Sequence, residues 1–202
     1  YQEYNYVLQV MQKAQQIASG FYYTREEKTT ATLLKSNPKL TLLMEIISDL
    51  LIENPDRQII IWRAYRVEDN LIGDRLTLEG IEHVTGADPL SLGQFAPNPA
   101  AYGGNVQSPV RVIIMPVQTS EGFNELVGAD TNIFFSNSYS QNSRAQAEAR
   151  INRQGQIAPV VTHIDLCSPN GADEQVTIAL QSKSLTKERL TTIVRDRHNA
   201  FN

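Results

Sequence analysis

The chain of 202 residues contains a single cysteine, Cys167. An internal disulfide and a cysteine-built zinc site are therefore excluded, and the composition suits a reducing compartment. No run approaches the roughly 18 apolar residues of a membrane helix, and no segment resembles a signal peptide. Its 3 histidines, His83, His163 and His198, are too far apart in sequence to share a paired metal-ligand spacing. A GxxxxGK(S/T) phosphate loop is missing, as is a GxGxxG dinucleotide fingerprint. Positive charge is not in excess either: 18 basic against 22 acidic residues give a net charge of −4. That balance argues mildly against nucleic-acid binding by overall charge, although a local basic cleft can act despite it.

What remains is a chain with 41% hydrophobic and 20% charged residues, the profile of a folded domain with a real core. Because it starts at Tyr1 and not at Met, it reads as part of a longer polypeptide. Residues 2–18 have helical character, with Val7, Leu8, Val10, Met11 and Ile17 as apolar positions. Gly20 breaks that pattern, and FYYTREEKTT reads as an extended or looped polar connection. A second helix is well signalled: Asn37 can cap it, Pro38 takes its first position, and Leu40, Leu43, Ile47, Leu50 and Leu51 form its buried face.

Five apolar runs follow: IIIW at 59–62, IEHV at 81–84, VRVIIMPV at 110–117, TNIFF at 131–135 and PVVTHIDL at 159–166. Helical candidates lie between them at 65–78, 122–128 and 143–154. Apolar strands alternating with helices predict a parallel sheet covered on both faces. The segment 91–109, rich in Pro, Gly and Asn, reads as a long surface loop. Helices are expected over 173–183 and from Thr186, the latter with a Leu185–Leu190 staple. Ligands of open parallel sheets bind at the carboxyl ends of the strands, so the loops after Trp62, Val84, Val117, Phe135 and Leu166 are the informative ones.

After Val117 comes QTSEGFNEL, where Thr119, Ser120, Gly122 and Asn124 offer hydroxyls, an amide and a pliable backbone to phosphate oxygens. A plainly capped helix start has the same look. After Phe135 the loop SNSYSQN enters SRAQAEARINRQGQ. Read as one helix, this places Gln146, Arg150 and Arg153 on one face at i, i+4 and i+7, a stripe suited to an anion. Arg144 points the other way and can pair with Glu148, which makes it a dispensable control position. A solvated face of unpaired charges is the plain alternative for the stripe. The segment DEQV at 173–176 resembles a magnesium-holding motif. It opens a helix instead of ending a strand, so Asp173 is read as a helix-start acid.

The motifs LKSNPKLTLLMEIISDLL, IIIWRAYRVEDNLI, TSEGFNELVGADTNIFFSNSYS, QAEARINRQGQ and IDLCSPNGADEQV occur in the order seen in superfamily-two helicases. Over roughly residues 36–183 the chain resembles the C-terminal helicase lobe of Swi/Snf-type DNA translocases, particularly phage and prophage relatives. The most specific part is QAxxRxxRxGQ, which is similar to motif VI of that family without a gap. The resemblance implies a RecA-like α/β fold and three regions: an N-terminal helical and linker segment (1–35), the helicase lobe (36–166) and a C-terminal helical extension (167–202). It implies that Arg150 and Arg153 act on ATP and Mg2+ held by an N-terminal lobe of the same polypeptide. Gln146, Gly122 and Asn124 would then face the nucleotide cleft. Arg63, Arg66, Gly86, Thr119 and Ser120 would lie near the DNA backbone, in a bacterial or phage-infected cytoplasm with no membrane involved.

Three departures stand out: Ser120 and Glu121 replace the family's usual paired glycines, one extra residue falls between Gly122 and Asp130, and a Pro/Gly/Asn-rich loop replaces a short basic helix after Gly86. Two other classes are weighed beside the motor lobe. One is a stand-alone binding module that keeps the lobe fold; a phosphate loop upstream of Tyr1 would discriminate against it. The other is a small-molecule enzyme on a doubly wound sheet, for which no general base or cofactor fingerprint is visible.

Overall fold

Apolar runs without polar alternation have both faces to bury, and a parallel sheet covered by helices on each side satisfies them. The computed structural model describes residues 2–24, 30–95, 110–118, 125–156, 158–169 and 171–182, with side chains from residue 9 onward and that of Glu125 excepted. It begins with helix α1 (Gln2–Ala18), an antiparallel hairpin of β1 (Phe21–Tyr23) and β2 (Ala31–Leu33), and helix α2 (Pro38–Glu53). Then follow β3 (Ile59–Arg63), α3 (Val67–Leu78), β4 (His83–Thr85), α4 (Pro89–Phe95) and β5 (Val112–Pro116). A 3-10 turn (Glu125–Gly128), β6 (Thr131–Phe134), α5 (Gln141–Ile151) and β7 (Thr162–Asp165) complete the named elements, with a further helical stretch at 172–182.

The 5-stranded sheet has the order β4-β5-β3-β6-β7, and every pair in it is parallel. Successive side chains of β3 divide between two cores, as the period of 2 along a strand demands. Ile59 and Ile61 join Leu40, Leu43, Met44 and Ile47 of α2 and Ile72 and Leu76 of α3. Ile60 and Trp62 join Leu92 and Phe95 of α4, Leu126 of the 3-10 turn, and Ala147 and Ile151 of α5. Each such isoleucine contributes about 1.5–3 kcal/mol.

All five expected strands are present, and the reading of a parallel sheet covered on both faces holds. The polar connection after Gly20 is in fact a hairpin, anchored by fully buried Phe21, whose ring packs edge-on against Tyr23 and Tyr65. The expected loop at 91–109 begins as the last part of α4, because Leu92 and Phe95 are buried; residues 96–109 lie outside the described residues. The second C-terminal helix and its staple also lie outside them. Among the described side chains of α1, from residue 9 onward, the polarity departs from expectation at three positions. Gln15 is buried, whereas Val10 and Ile17 are 48% and 54% exposed.

The junction between hairpin and α2 is tight. Asn37 Oδ1 accepts from the Leu40 amide at 3.0 Å, capping α2, while its Nδ2 donates to the Ser19 carbonyl at 2.8 Å. Gly20 has φ +89, and a Cβ there would come within 2.1 Å of Asn37 Nδ2. Gly20→Ala should therefore strain the backbone and dislodge the cap together, lowering unfolding free energy by about 2 kcal/mol in denaturant titration.

Candidate functional site

The chain leaves β3 toward β4 on one side of the sheet and leaves β6 toward β7 on the other, so the carboxyl ends of β3 and β6 flank the topological switch point. Their loops are held by buried polar groups. Glu68, fully buried in the first turn of α3, accepts through Oε2 from the amides of Ala64 (3.1 Å) and Tyr65 (3.0 Å) and from Ser136 Oγ (2.6 Å). Burial raises its pKa, and the Ser136 and Tyr65 hydrogen bonds oppose that rise. Asn137, just past β6, donates through Nδ2 to Asp165 Oδ1 at 2.8 Å. Neither Glu68 nor Asn137 carried a sequence signal. An acid in the first turn of a helix is an ordinary dipole partner, and its inward aim is a tertiary fact.

Arg144 completes this carboxyl-edge network and corrects the sequence reading. It pairs with Glu148 as expected (Nε–Oε1 2.6 Å), but it is not on a dispensable outer face. Its side chain is 11% exposed, makes a two-pronged pair with Asp165, donates to Asn137 Oδ1 at 3.2 Å and lies 3.4 Å over the Phe134 ring. Burial opposes its charge, and the Asp165 and Glu148 carboxylates more than restore it, raising its pKa.

The expected DNA-side residues divide. Arg63 pairs with Asp69 through two hydrogen bonds of 2.7 and 2.6 Å. Arg66 is exposed and stands at the N-cap of α3. Gly86 ends β4 with φ +107 and donates its amide to the Ile114 carbonyl. Thr119, Ser120, Gly122 and Asn124 lie outside the described residues.

The arginine stripe is also corrected in shape. Helix α5 stops at Ile151 with Asn152 as C-cap, so Arg153 lies beyond the helix and not at i+7 upon it. Gln146 and Arg150 remain on α5, the first exposed and the second partly buried in the last turn. Since α5 runs back along the sheet, this end meets the start of β6, opposite to Arg66 and Gly86. Gly155, at φ +101, turns the chain. Gln156 then clamps it, donating through Nε2 to the carbonyls of Ala129 (2.7 Å) and Ile151 (3.0 Å) and accepting from the Ala158 amide (2.8 Å). Arg150 is depressed in pKa by burial first and then by the charge of Arg153.

Among the described residues no cluster of three or more His, Cys, Asp or Glu side chains could hold a metal ion, and no helix is long and apolar enough to cross a membrane.

With this geometry in place, two solved structures share the architecture. One is the C-terminal part of the Fun30 ATPase domain, at 14% identity and TM-score 0.60, covering 72% of this chain and 46% of that one. The other is the Pyrococcus furiosus Hef helicase domain, at 22% identity and TM-score 0.55, covering 71% and 28%. The fold is RecA-like. This chain spans less than half the length of either neighbour. No family model and no curated protein matches it.

Two expectations follow from these polar groups. Arg144→Ala should cost about 2–4 kcal/mol by leaving Asp165 and Asn137 without their partner, measured as loss of unfolding free energy. A second concerns His163. Trp62 Nε1 donates to Asn132 Oδ1 at 2.8 Å, which orients the amide so that Nδ2 donates to His163 Nδ1 at 3.1 Å. His163 must accept there and stay neutral. Its pKa is lowered, chiefly by burial, against the charges of Glu148 and Asp165 that raise it. The unfolded chain therefore binds this proton more readily, so its contribution is intact above about pH 6.5 and is lost as pH falls. Wild type should lose stability relative to His163→Gln, which keeps an acceptor, between pH 8 and pH 5.

Proposed function

We propose that this chain is the second motor lobe of an ATP-dependent DNA translocase or helicase of Swi/Snf type. Its Arg150–Arg153 pair meets the γ-phosphate of an ATP that an N-terminal lobe holds with Mg2+. The observation that carries this reading is the placement of both motif arginines at one end of α5, Arg150 in its last turn and Arg153 two residues past its end. Two guanidiniums near one helix end attract an anion more than either does alone. A transferring phosphoryl group spreads negative charge over its oxygens, and the planar arginine fork matches it. The motif that carries both residues, QAxxRxxRxGQ, is the part of the sequence most similar to the helicase family, and the shared architecture supports the same lobe.

The clamp gives the motif's last residues a role in this reading. Gly155 and Gln156 fix a turn, so Arg153 is presented from the chain beyond the helix and not as a helix side chain. Of the expected DNA contacts, Arg66 follows β3 and Gly86 follows β4, both on the carboxyl edge, and they would meet the phosphate backbone there. ATP closure and release of two lobes would then alternate the grip on DNA.

In a polypeptide carrying both lobes, Arg153→Ala should reduce kcat by roughly 10³-fold or more while ATP affinity changes little, since the contact forms in the transition state. Arg153→Lys should rescue poorly. The control is Asn142→Ala, an exposed position on α5. Steady-state ATP turnover with DNA present is the measurement. An Arg153→Ala variant as active as the Asn142→Ala control would overturn the assignment.

A further inference from the structure

Open α/β sheets place their ligands at the switch point, outside the carboxyl ends of the diverging strands. Here the chain's own helix fills that place. Gln15 of α1 is 2% exposed and spans the gap with both ends of its amide. Its Nε2 donates to the carbonyl of Asn137, after β6, at 2.8 Å. Its Oε1 accepts from the hydroxyl of Tyr65, after β3, at 3.1 Å. Nearby, the Tyr139 hydroxyl lies 3.6 Å from Met11 Sδ, one turn earlier on the same helix. This accounts for the departure in polarity of α1. A helix whose inner face must cap polar loop ends buries its glutamine and leaves Val10 and Ile17 outside.

The Tyr65 arm is the consequential one. Tyr65 precedes Arg66 directly, and its turn is fixed from the other side by Glu68 Oε2. Burial, followed by the negative charge of Glu68, pushes the phenol pKa up, so Tyr65 keeps its proton and remains a donor to Gln15 across the working range of pH. The turn carrying Arg66 is thus held at two points, one within α3 and one on α1.

We propose that Gln15 is a positioning residue: through Tyr65 it sets where Arg66 stands at the carboxyl edge, and so governs the contact of that arginine with a phosphate-bearing partner. The proposal rests on the reading above that this edge meets a nucleic-acid backbone.

A double-mutant cycle on the whole chain separates the two ideas, using a short DNA duplex as probe and affinity measured across a salt series. Arg66→Ala should weaken binding roughly threefold to tenfold and lower the salt slope by about 0.9, the value for one lost phosphate contact. Gln15→Ala should reproduce both changes although Arg66 is intact, and the double variant should lose little more. Tyr65→Phe, which removes only the hydroxyl, should behave as Gln15→Ala does. Gln15→Leu fills the same space but offers Tyr65 no acceptor, and should behave as Gln15→Ala does. If Arg66→Ala leaves affinity and slope unchanged, the reading of this edge as a nucleic-acid contact fails. If Arg66→Ala weakens binding but Gln15→Ala does not, or the two losses add, the positioning role is overturned. Tyr65→Phe and Gln15→Leu keep the test open should Gln15→Ala not fold.

Discussion

A guanidinium removed from water keeps its charge and must find acceptors for its N–H groups, and Arg144 finds them on separate elements at once. Asp165 closes β7, Asn137 follows β6, and Glu148 lies one turn further along α5. The Phe134 ring beneath it adds a cation–π contact. No rotation of α5 about its axis keeps all four. The helix is therefore set in one orientation, and that orientation fixes how its far end reaches the start of β6. A leucine at the same place could fill the space without specifying the angle, which is the clearest use of a buried ion pair.

The carboxyl edge shows the same logic on a larger scale. Its loops leave β3 and β6 with amides and carbonyls that no strand neighbour can satisfy, and an unmet buried group costs about 1–3 kcal/mol. Glu68, Ser136 and Gln15 meet them from three elements. Lys39 and Asp173 extend the pattern: their 2.8 Å pair, nearly dry on both sides, ties α2 to the 172–182 stretch. Asp173 is thus more than a helix-start acid, because its charge is answered by a lysine far away in sequence.

Much of the fold was legible because hydrophobic period is local. The runs at 59–62 and 131–135 allow few readings other than buried strands, and Asn37 followed by Pro38 announces a helix start. The hairpin at 21–33 was less legible, since its only decisive feature, the burial of Phe21, depends on Tyr65 being close. The same limit applied at the site. Arg144 and Glu148 were recognised as an i, i+4 pair, but Asp165 lies on another strand and cannot be inferred from helix spacing. The pairing of Arg63 escapes helix spacing for a related reason. Its partner Asp69 is only six residues away, yet the two meet solely because the turn between them folds back. Helical periodicity also overran its end, giving Arg153 a place on a helix that Asn152 had already closed.

That overrun has a physical lesson for the arginine motif. A strict helix would place residues 146, 150 and 153 in a line, with their spacing set by the helical repeat and nothing else. Ending α5 at Ile151 frees Arg153 from the repeat, and the chain then needs another device to hold it. Gly155 supplies a left-handed turn, and Gln156 bonds the last carbonyl of α5 and the carbonyl of Ala129, just before β6. The position of Arg153 is thereby referred to the sheet as well as to the helix. Arg144 fixes one end of α5 against β7, and Gln156 fixes the other against the approach to β6. Arg150 and Arg153 thus stand on a segment fastened at both ends.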